Sequence, residues 1–475
     1  MRNILSKSRL FNFLRRLGAD RRGVSAVAFA ISFAVLTPMA LGIFDVYQTT
    51  EQRGKLQDAL DAAALYAAKS SATTSDDINT IGNKALGANL QLIHGATLNS
   101  ASFTLANNTV VTGTASVTVP AYAPTEYNHT PISVSTQVTR GGNNLEVALV
   151  LDNSNSMAGA SLTSLKSAAN QLVDLVVSDS QSPFYSKVSI IPYGNGVNVG
   201  NYADAARGSA TGGSNPTRGT NDANHPYATF RFTNVSGNNA QWNLSTCVSE
   251  RTGAEAYTDT APGVPPTGPN TYVGTNYPAT ANGNPCISAQ MAPLSSVKSD
   301  LHASINALTA CCSTSGHVGV AWGWYTLSPK WNVIFTGSAA PAAYNAPNTI
   351  KALVLMTDGE YNSVYCKGVI AKMATNSSSS GSGSDSDHIN CLGTNGKDAY
   401  AQAETLCAAI KAVNTTNPVV IYTVGLNLIQ GSSAQNLVNH CATDASHVYM
   451  PANGTQLQVA FQQIAANLNK LRLSH

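Results

Sequence analysis

Charge is scarce in this chain. Charged residues make up 11% of its 475 positions, against 43% hydrophobic ones. The formal balance is +2, and the basic excess is confined to the start. Residues 1–22 hold Arg2, Lys7, Arg9, Arg15, Arg16, Arg21 and Arg22 against a single acid, Asp20. Without them, twenty basic residues face twenty-four acidic ones, so the remainder is net acidic. It carries no basic run, which argues against a nucleic-acid partner. Cysteine is missing from the first half of the chain, and no C-x-x-C pair occurs anywhere. No histidine stands at zinc-finger spacing from a cysteine, so a zinc module is not expected. H-E-x-x-H, G-x-S-x-G and the Walker phosphate loop are also absent. An enzyme is therefore not expected, nor a small-molecule substrate.

One long uncharged run is present, VSAVAFAISFAVLTPMALGIF, from Val24 to Phe44. At roughly 1.5 Å per residue it spans about 30 Å, enough for the hydrocarbon core of a bilayer. Pro38 within it is tolerable in a membrane helix. A secretory signal peptide shares the basic start and apolar middle, but its core is shorter. The reading is a basic tail at 1–22 and a transmembrane helix at 23–46. The positive-inside rule then puts the tail in the cytoplasm and the bulk of the chain outside.

All eight cysteines lie beyond that segment: Cys247, Cys286, Cys311, Cys312, Cys366, Cys391, Cys407 and Cys441. An even number confined to the exported part reads as disulfides of an oxidising compartment. Candidate pairings are Cys407 with Cys441 and Cys366 with Cys391. Cys247 and Cys286 are further candidates. Cys311 and Cys312 are adjacent and are expected to bond to different partners.

Beyond the apolar run, residues 45–70 continue as a helix, with Leu56, Leu60, Ala63 and Ala67 on one face. A shorter helix is expected from about Asp76 to Leu92. SFTLANNTVV then reads as two strand arms around Asn107 and Asn108, and ASVTV and ISVSTQV alternate as half-buried strands do. Residues 47–140 thus form helix plus small sheet, a plan shared with pilin-like subunits by analogy of shape.

After the GGNN linker, the rhythm changes at residue 145. Near-continuous apolar strands (LEVALVLD, KVSIIPY, IKALVLMTD, PVVIYTVGL) alternate with helices, the signature of a parallel sheet covered on both faces. Leu457, Phe461, Ile464, Leu468 and Leu471 form the apolar stripe of the last helix. Insertions interrupt this domain at about 196–292, 330–348 and 362–397. The NSSSSGSGSDSD stretch reads as a solvated loop, since Asp385 and Asp387 fit no EF-hand spacing.

LEVALVLDNSNSM holds the candidate site. In parallel sheets, ligands bind beyond the carboxyl ends of the strands. Asp152 ends one apolar strand and Asp358, in LMTDG, ends another. Ser154 and Ser156 follow Asp152 at alternate positions, and Thr314 lies on a loop that opens a helix. Two carboxylates and three hydroxyls are a hard oxygen set, suited to Mg2+, with Mn2+ or Ca2+ as alternatives.

DNSNSM resembles the D-x-S-x-S metal-ion-dependent adhesion site of von Willebrand factor A domains. The resemblance implies that Asp152, Ser154, Ser156, Thr314 and Asp358 are the metal positions and that a partner's acidic residue completes the shell. The chain as a whole resembles the TadG-like proteins of tight-adherence (Flp) pilus assembly. DRRGVSAVAFAISFAVL, followed by LQDALDAAALYAA, carries the likeness at one end. AWGWYTLSP, LMTDGEYN, the Cys407 and Cys441 context and LRLSH carry it at the other. Prepilins of that system are cut after a glycine with glutamate five residues on. Here Ala28 holds that place after Gly23, so no cleavage and a permanent anchor are expected.

The fold class implied is α/β. A transmembrane helix and a pilin-like α+β region precede a doubly wound, mostly parallel von Willebrand factor A domain at 145–475. The function implied is a single-pass protein of the bacterial inner membrane that binds an acidic partner, a pilus-assembly component, through Mg2+. A structural scaffold or surface-exposed minor subunit with an incidental metal site is the alternative, and a metal-dependent hydrolase the remote one.

Overall fold

A computed structural model describes residues 24–473 apart from 71, 73, 91–96, 107–108, 120–130, 141, 183, 215–225, 234–238, 264–270, 279–284 and 372–396. The basic tail, the Asn107–Asn108 turn, Cys391, Asp385 and Asp387 therefore lie outside the described residues. The chain divides into two compact units, Met1–Arg140 and Gly141–His475.

The first unit is built on one helix, α1 (Val24–Ala68), which runs unbroken through Pro38. Its opening stretch is apolar all round, with Phe29, Phe33, Leu36 and Ile43 exposed. It is long and apolar enough to cross a membrane. Farther along, the helix becomes one-sided, and Leu56, Leu60, Ala63 and Ala67 are buried. They pack with α2 (Ser75–Leu90) and an antiparallel sheet of β1 (Thr97–Ala106), β2 (Val110–Thr118) and β3 (Ile132–Thr139). TVV and ASVTV, read above as separate strands, are one strand, β2. Its Gly113 sits where an added Cβ would meet the Phe103 ring at 2.9 Å, so the glycine is a packing requirement rather than a break. Arg140 ties off the end of α1. Its guanidinium donates to the carbonyl of Ala68, left orphaned by the helix end, and to those of Ser70 and Ala72 just beyond it, at 2.7–2.9 Å.

In the second unit β4 (Asn144–Asp152) leads to α3 (Ala160–Val176) and β5 (Ser186–Tyr193). An excursion follows, holding β6 (Val197–Asn198), β7 (Thr211–Ser214), β8 (Tyr227–Thr233), β9 (Asn239–Asn243), β10 (Cys247–Ser249) and β11 (Gly274–Tyr277). The chain returns through β12 (Ala292–Ser295), α4 (Lys298–Asn306) and α5 (Gly316–Leu327). Then come β13 (Thr349–Thr357), β14 (Val369–Ala371), α6 (Ala399–Ala412), β15 (Val420–Gly425), α7 (Ser433–Cys441), β16 (Val448–Tyr449) and α8 (Gly454–Leu473).

The main sheet has the order β12-β5-β4-β13-β15-β16. Every neighbouring pair is parallel except β12 with β5. The sequence reading missed β12, a short edge strand carrying Pro293, a residue that sheets admit at edges. Side chains alternate between two cores. Ala148 and Val150 of β4 join Leu353 and Leu355 of β13 in the core under α5, α6 and α7. Leu149 and Leu151 join Val354 and Met356 in the other, under α3, α4 and α8. Burial on both faces is why these strands read as unbroken apolar runs.

The stretch from 196 to 292 is not a loose insertion. β6, β10 and β11 pair with β14 in a second sheet, and Arg251 stacks over the rings of Tyr325 and Trp331. Cys247 is bonded to Cys286 and Cys407 to Cys441, closing loops of 39 and 34 residues. Each loop closure is worth about 4 kcal/mol in the chain-entropy account. Cys311 and Cys312 bond to each other, not to different partners.

Helix α5 is buried along its whole length, Trp322 and Trp324 included. Its approach to the sheet depends on glycines. A Cβ on Gly323 would lie 2.5 Å from Val150 Cγ2, and one on Gly319 2.6 Å from the Tyr193 ring. Gly323→Ala should therefore destabilise the second unit by about 1–3 kcal/mol through overpacking. Urea unfolding followed by tryptophan fluorescence checks this, because all four tryptophans (242, 322, 324 and 331) lie in that unit. An unchanged midpoint would show that the helix can shift outward without loss.

Candidate metal centre

The strand order reverses between β4 and β13, so connections leave in opposite directions and a crevice opens at their carboxyl ends. The register pairs Leu151 with Met356, which brings Asp152 and Thr357 side by side at the next step. Asp152 is fully buried. Its Oδ1 accepts the Ser154 backbone N–H at 2.9 Å, and its Oδ2 accepts the Thr357 hydroxyl at 3.0 Å. The Tyr193 hydroxyl lies 3.2 Å from the same Oδ2 and 2.9 Å from the Met356 carbonyl.

The two serines connect the carboxylates. Ser156 Oγ donates to Asp358 Oδ1 at 2.8 Å, so the 2.9 Å bond between the serine hydroxyls takes its proton from Ser154. Both hydroxyl protons thus run toward Asp358, which leaves oxygen lone pairs free on Ser154.

Thr314 is buried and reaches this edge through its backbone. Its N–H donates to Asn362 Oδ1 at 2.9 Å, and its carbonyl accepts from the N–H groups of Asn362 and Ser363. The segment before it is stitched to the serine loop. Cys311 N–H donates to the Asn153 carbonyl at 2.9 Å, and Asn155 N–H to the Cys312 carbonyl at 3.1 Å. Ser315 N–H donates to the Gly194 carbonyl at 2.7 Å. Four predicted site residues, Asp152, Ser154, Ser156 and Asp358, are therefore joined directly. Thr314 shares their edge, but its hydroxyl makes no bond to the other four among the described residues.

Strand β4 carries a second buried carboxylate that makes an instructive contrast. Glu146 pairs with Lys351 and accepts from Tyr185 OH at 2.9 Å and from Ala342 N–H. Asp152 has no cationic partner among the described residues. Burial pushes its carboxyl up to about 6, the negative charge of Asp358 adds to the rise, and the bonds from Ser154 and Thr357 offset part of it. Burial also raises Asp358, against the bond from Ser156. A set of hard oxygens with two like charges and no counter-charge fits a divalent cation such as Mg2+. No cluster of three or more His, Cys, Asp or Glu side chains suited to a metal occurs among the described residues. A cation here would rely on hydroxyls as well as carboxylates.

Thr357, Tyr193 and Asn362 were missed in the sequence. Thr357 was legible as the residue before Asp358 in MTDG. Tyr193 was legible as the end of KVSIIPY, the strand beside β4, where the register sets it opposite Asp152. Asn362 had no sequence signal beyond its place in the loop after Asp358.

Residues 23–70 match the model of the Tad family, Flp pilus-assembly TadE/G-like. No curated protein matches the sequence. Among solved structures, the chain is similar to the vWF domain of the type V pili tip protein Mfa5 from Porphyromonas gingivalis. That likeness has 12% identity and a TM-score of 0.37, over 70% of this chain and 97% of that one. The pilus adhesin SpaC from Lactobacillus rhamnosus GG is similar at 10% identity and a TM-score of 0.34, over 79% of this chain and 34% of that one. The PilB minor pilin from Streptococcus sanguinis is similar at 9% identity and a TM-score of 0.31, over 79% of this chain and 78% of that one. The N-terminal helix thus carries a TadE/G-like pilus-assembly segment.

Proposed function

We propose that this chain is a membrane-anchored protein of Flp pilus assembly whose second unit is a von Willebrand factor A domain. It binds a protein partner through a Mg2+-dependent site. The observation that carries the reading is the pair of carboxylates Asp152 and Asp358, bridged by Ser154 and Ser156 with no cation to balance them among the described residues. Ser154, Ser156 and Thr314 supply hydroxyl oxygens, and Asp152 and Asp358 supply charge directly or through water. The ion, Mg2+ or its substitutes Mn2+ and Ca2+, supplies a position for a carboxylate of the partner. The reading is of binding rather than catalysis, the role that the D-x-S-x-S resemblance implies. The TadE/G-like match supports a pilus-assembly component as that partner. The apolar start of α1 supports an inner-membrane anchor, with the tail cytoplasmic and both units outside.

The direct test is a Mn2+ titration of the detergent-solubilised full chain, followed by electron paramagnetic resonance. One site is expected, weakened by about tenfold or more in Asp358→Ala. Failure to bind Mn2+ at about millimolar concentration, roughly −4 kcal/mol of affinity, would leave only the scaffold reading. In a strain carrying Asp152→Ala, pilus-dependent adherence should fall. Full adherence would separate the metal from the function.

Stability gives a second prediction. Asp152 titrates near 6 in the fold against 3.8 when free. A raised carboxyl favours the folded state below the free value and loses that advantage as pH rises through the folded one. At neutral pH the buried charge costs about 3 kcal/mol. Mg2+ should therefore raise the unfolding midpoint more at about pH 7.5 than at about pH 5. Asp152→Asn should stabilise the chelated protein at the higher pH, because the Thr357 and Tyr193 hydroxyls can turn to accept from the amide. Destabilisation there, with equal Mg2+ effects at both pH values, would contradict this account.

A further inference from the structure

Among the described residues, two disulfides in the second unit span long loops, and their contribution to global stability follows from loop length. The Cys311–Cys312 bond joins sequence neighbours, so it hardly restricts the unfolded chain and needs a local explanation. Its position supplies one. Cys311 N–H and the Cys312 carbonyl bond to either side of Ser154, at the Asn153 carbonyl and the Asn155 N–H. Thr314 follows two residues later. Cys312 stands at φ +73°, a left-handed conformation that side chains other than those of glycine and asparagine seldom adopt. The covalent ring holds that turn closed and so holds the segment that brackets Ser154.

Access sets this pair apart as well. Cys311 and Cys312 are both half-buried, whereas Cys407 and Cys441 are fully buried and the Cys247–Cys286 bond has one fully buried member, Cys247. Among the described residues, this is the disulfide with neither cysteine fully buried.

We infer that Cys311–Cys312 is a thiol–disulfide exchange site through which a dithiol lowers the affinity of the metal centre. The inference rests on the metal reading above. A thiolate of the dithiol attacks one cysteine sulfur and expels the other as a thiolate, forming a mixed disulfide. The second thiol of the reagent then attacks its own sulfur in that mixed disulfide and releases the first cysteine. Two electrons and two protons pass to the cysteine pair, and the reagent leaves as a cyclic disulfide. Once the ring is open, Cys312 is free to leave its left-handed turn. The two bonds that bracket Ser154 then slacken, and the hydroxyls of Ser154 and Thr314 lose their fixed placement. Cys311 and Cys312 act here as positioning residues, since neither touches the proposed ion.

The test uses the detergent-solubilised full chain in three states: oxidised, treated with dithiothreitol and desalted to remove the chelating reagent, and reoxidised. Alkylation and peptide mass spectrometry identify which cysteines have opened, and Mn2+ titration reads the site. Cys311 and Cys312 should alkylate before the fully buried Cys247, Cys407 and Cys441. Mn2+ affinity should fall about tenfold on reduction and return on reoxidation. The double variant Cys311→Ser with Cys312→Ser should bind Mn2+ at the weaker level and ignore dithiothreitol. Unchanged affinity with Cys311 and Cys312 alkylated overturns the inference alone, as does prior opening of the fully buried Cys407–Cys441 bond. No Mn2+ binding by the oxidised chain overturns the metal reading and this inference with it.

Discussion

Asp152 is held, fully buried, at the end of the central strand of a parallel sheet, with Asp358 on the adjoining strand sharing its serine bridge. Burial penalises the charged form, a like charge adds to the penalty, and two hydrogen bonds recover only part of it. The arrangement persists at Asp152 because the packing around that residue is complete. Asp152 is fixed by the register of β4 between β5 and β13, and that register is set by apolar side chains that alternate between two cores. A slip of one residue would exchange every side chain between those cores. The same strand shows the other solution to a buried carboxylate, since Glu146 has Lys351 and a full set of donors. One end of β4 is electrostatically complete within the protein and the other is not.

Helix α5 passes this constraint to the third part of the site. Its N-terminal end follows Thr314, and its glycines bring it down onto Val150 and Tyr193. Tyr193 in turn reaches Asp152. The excursion between β5 and β12 reinforces the same helix. Glu250 contacts His317 and accepts the Tyr365 N–H, while Arg251 covers Tyr325 and Trp331. A segment that looks dispensable by composition is therefore part of what seats Thr314. Its polar, glycine-rich residues form short strands and single anchoring contacts, which have no periodicity for a sequence reading to detect.

That difference explains what was legible. Strands buried on both faces announce themselves as apolar runs, and the residue that ends each run lies at the carboxyl edge, so Asp152 and Asp358 were visible with Ser154 and Ser156. The one-sided face of α1 was equally plain in Leu56, Leu60, Ala63 and Ala67. Partners that depend on register or on loop closure were not visible. Tyr193 and Thr357 meet Asp152 only after three strands align, and Asn362 meets Thr314 only after two loops converge. Cys311 and Cys312 were misjudged for a related reason. Adjacency was taken to favour separate partners, whereas a tight turn with positive φ brings the neighbouring sulfurs together.

The two units manage apolar surface in opposite ways. Along α1 the apolar residues first surround the helix and then narrow to one stripe, which the small sheet covers. A helix that is apolar all round needs an apolar surrounding. Phe29, Phe33 and Leu36 are exposed, and this part of the helix is long and apolar enough to cross a bilayer. The second unit keeps its large apolar side chains inside two cores and leaves unbalanced a pair of charges at one edge. One unit thus exposes surface that water rejects, and the other buries a carboxylate, Asp152, whose charge no cation balances among the described residues.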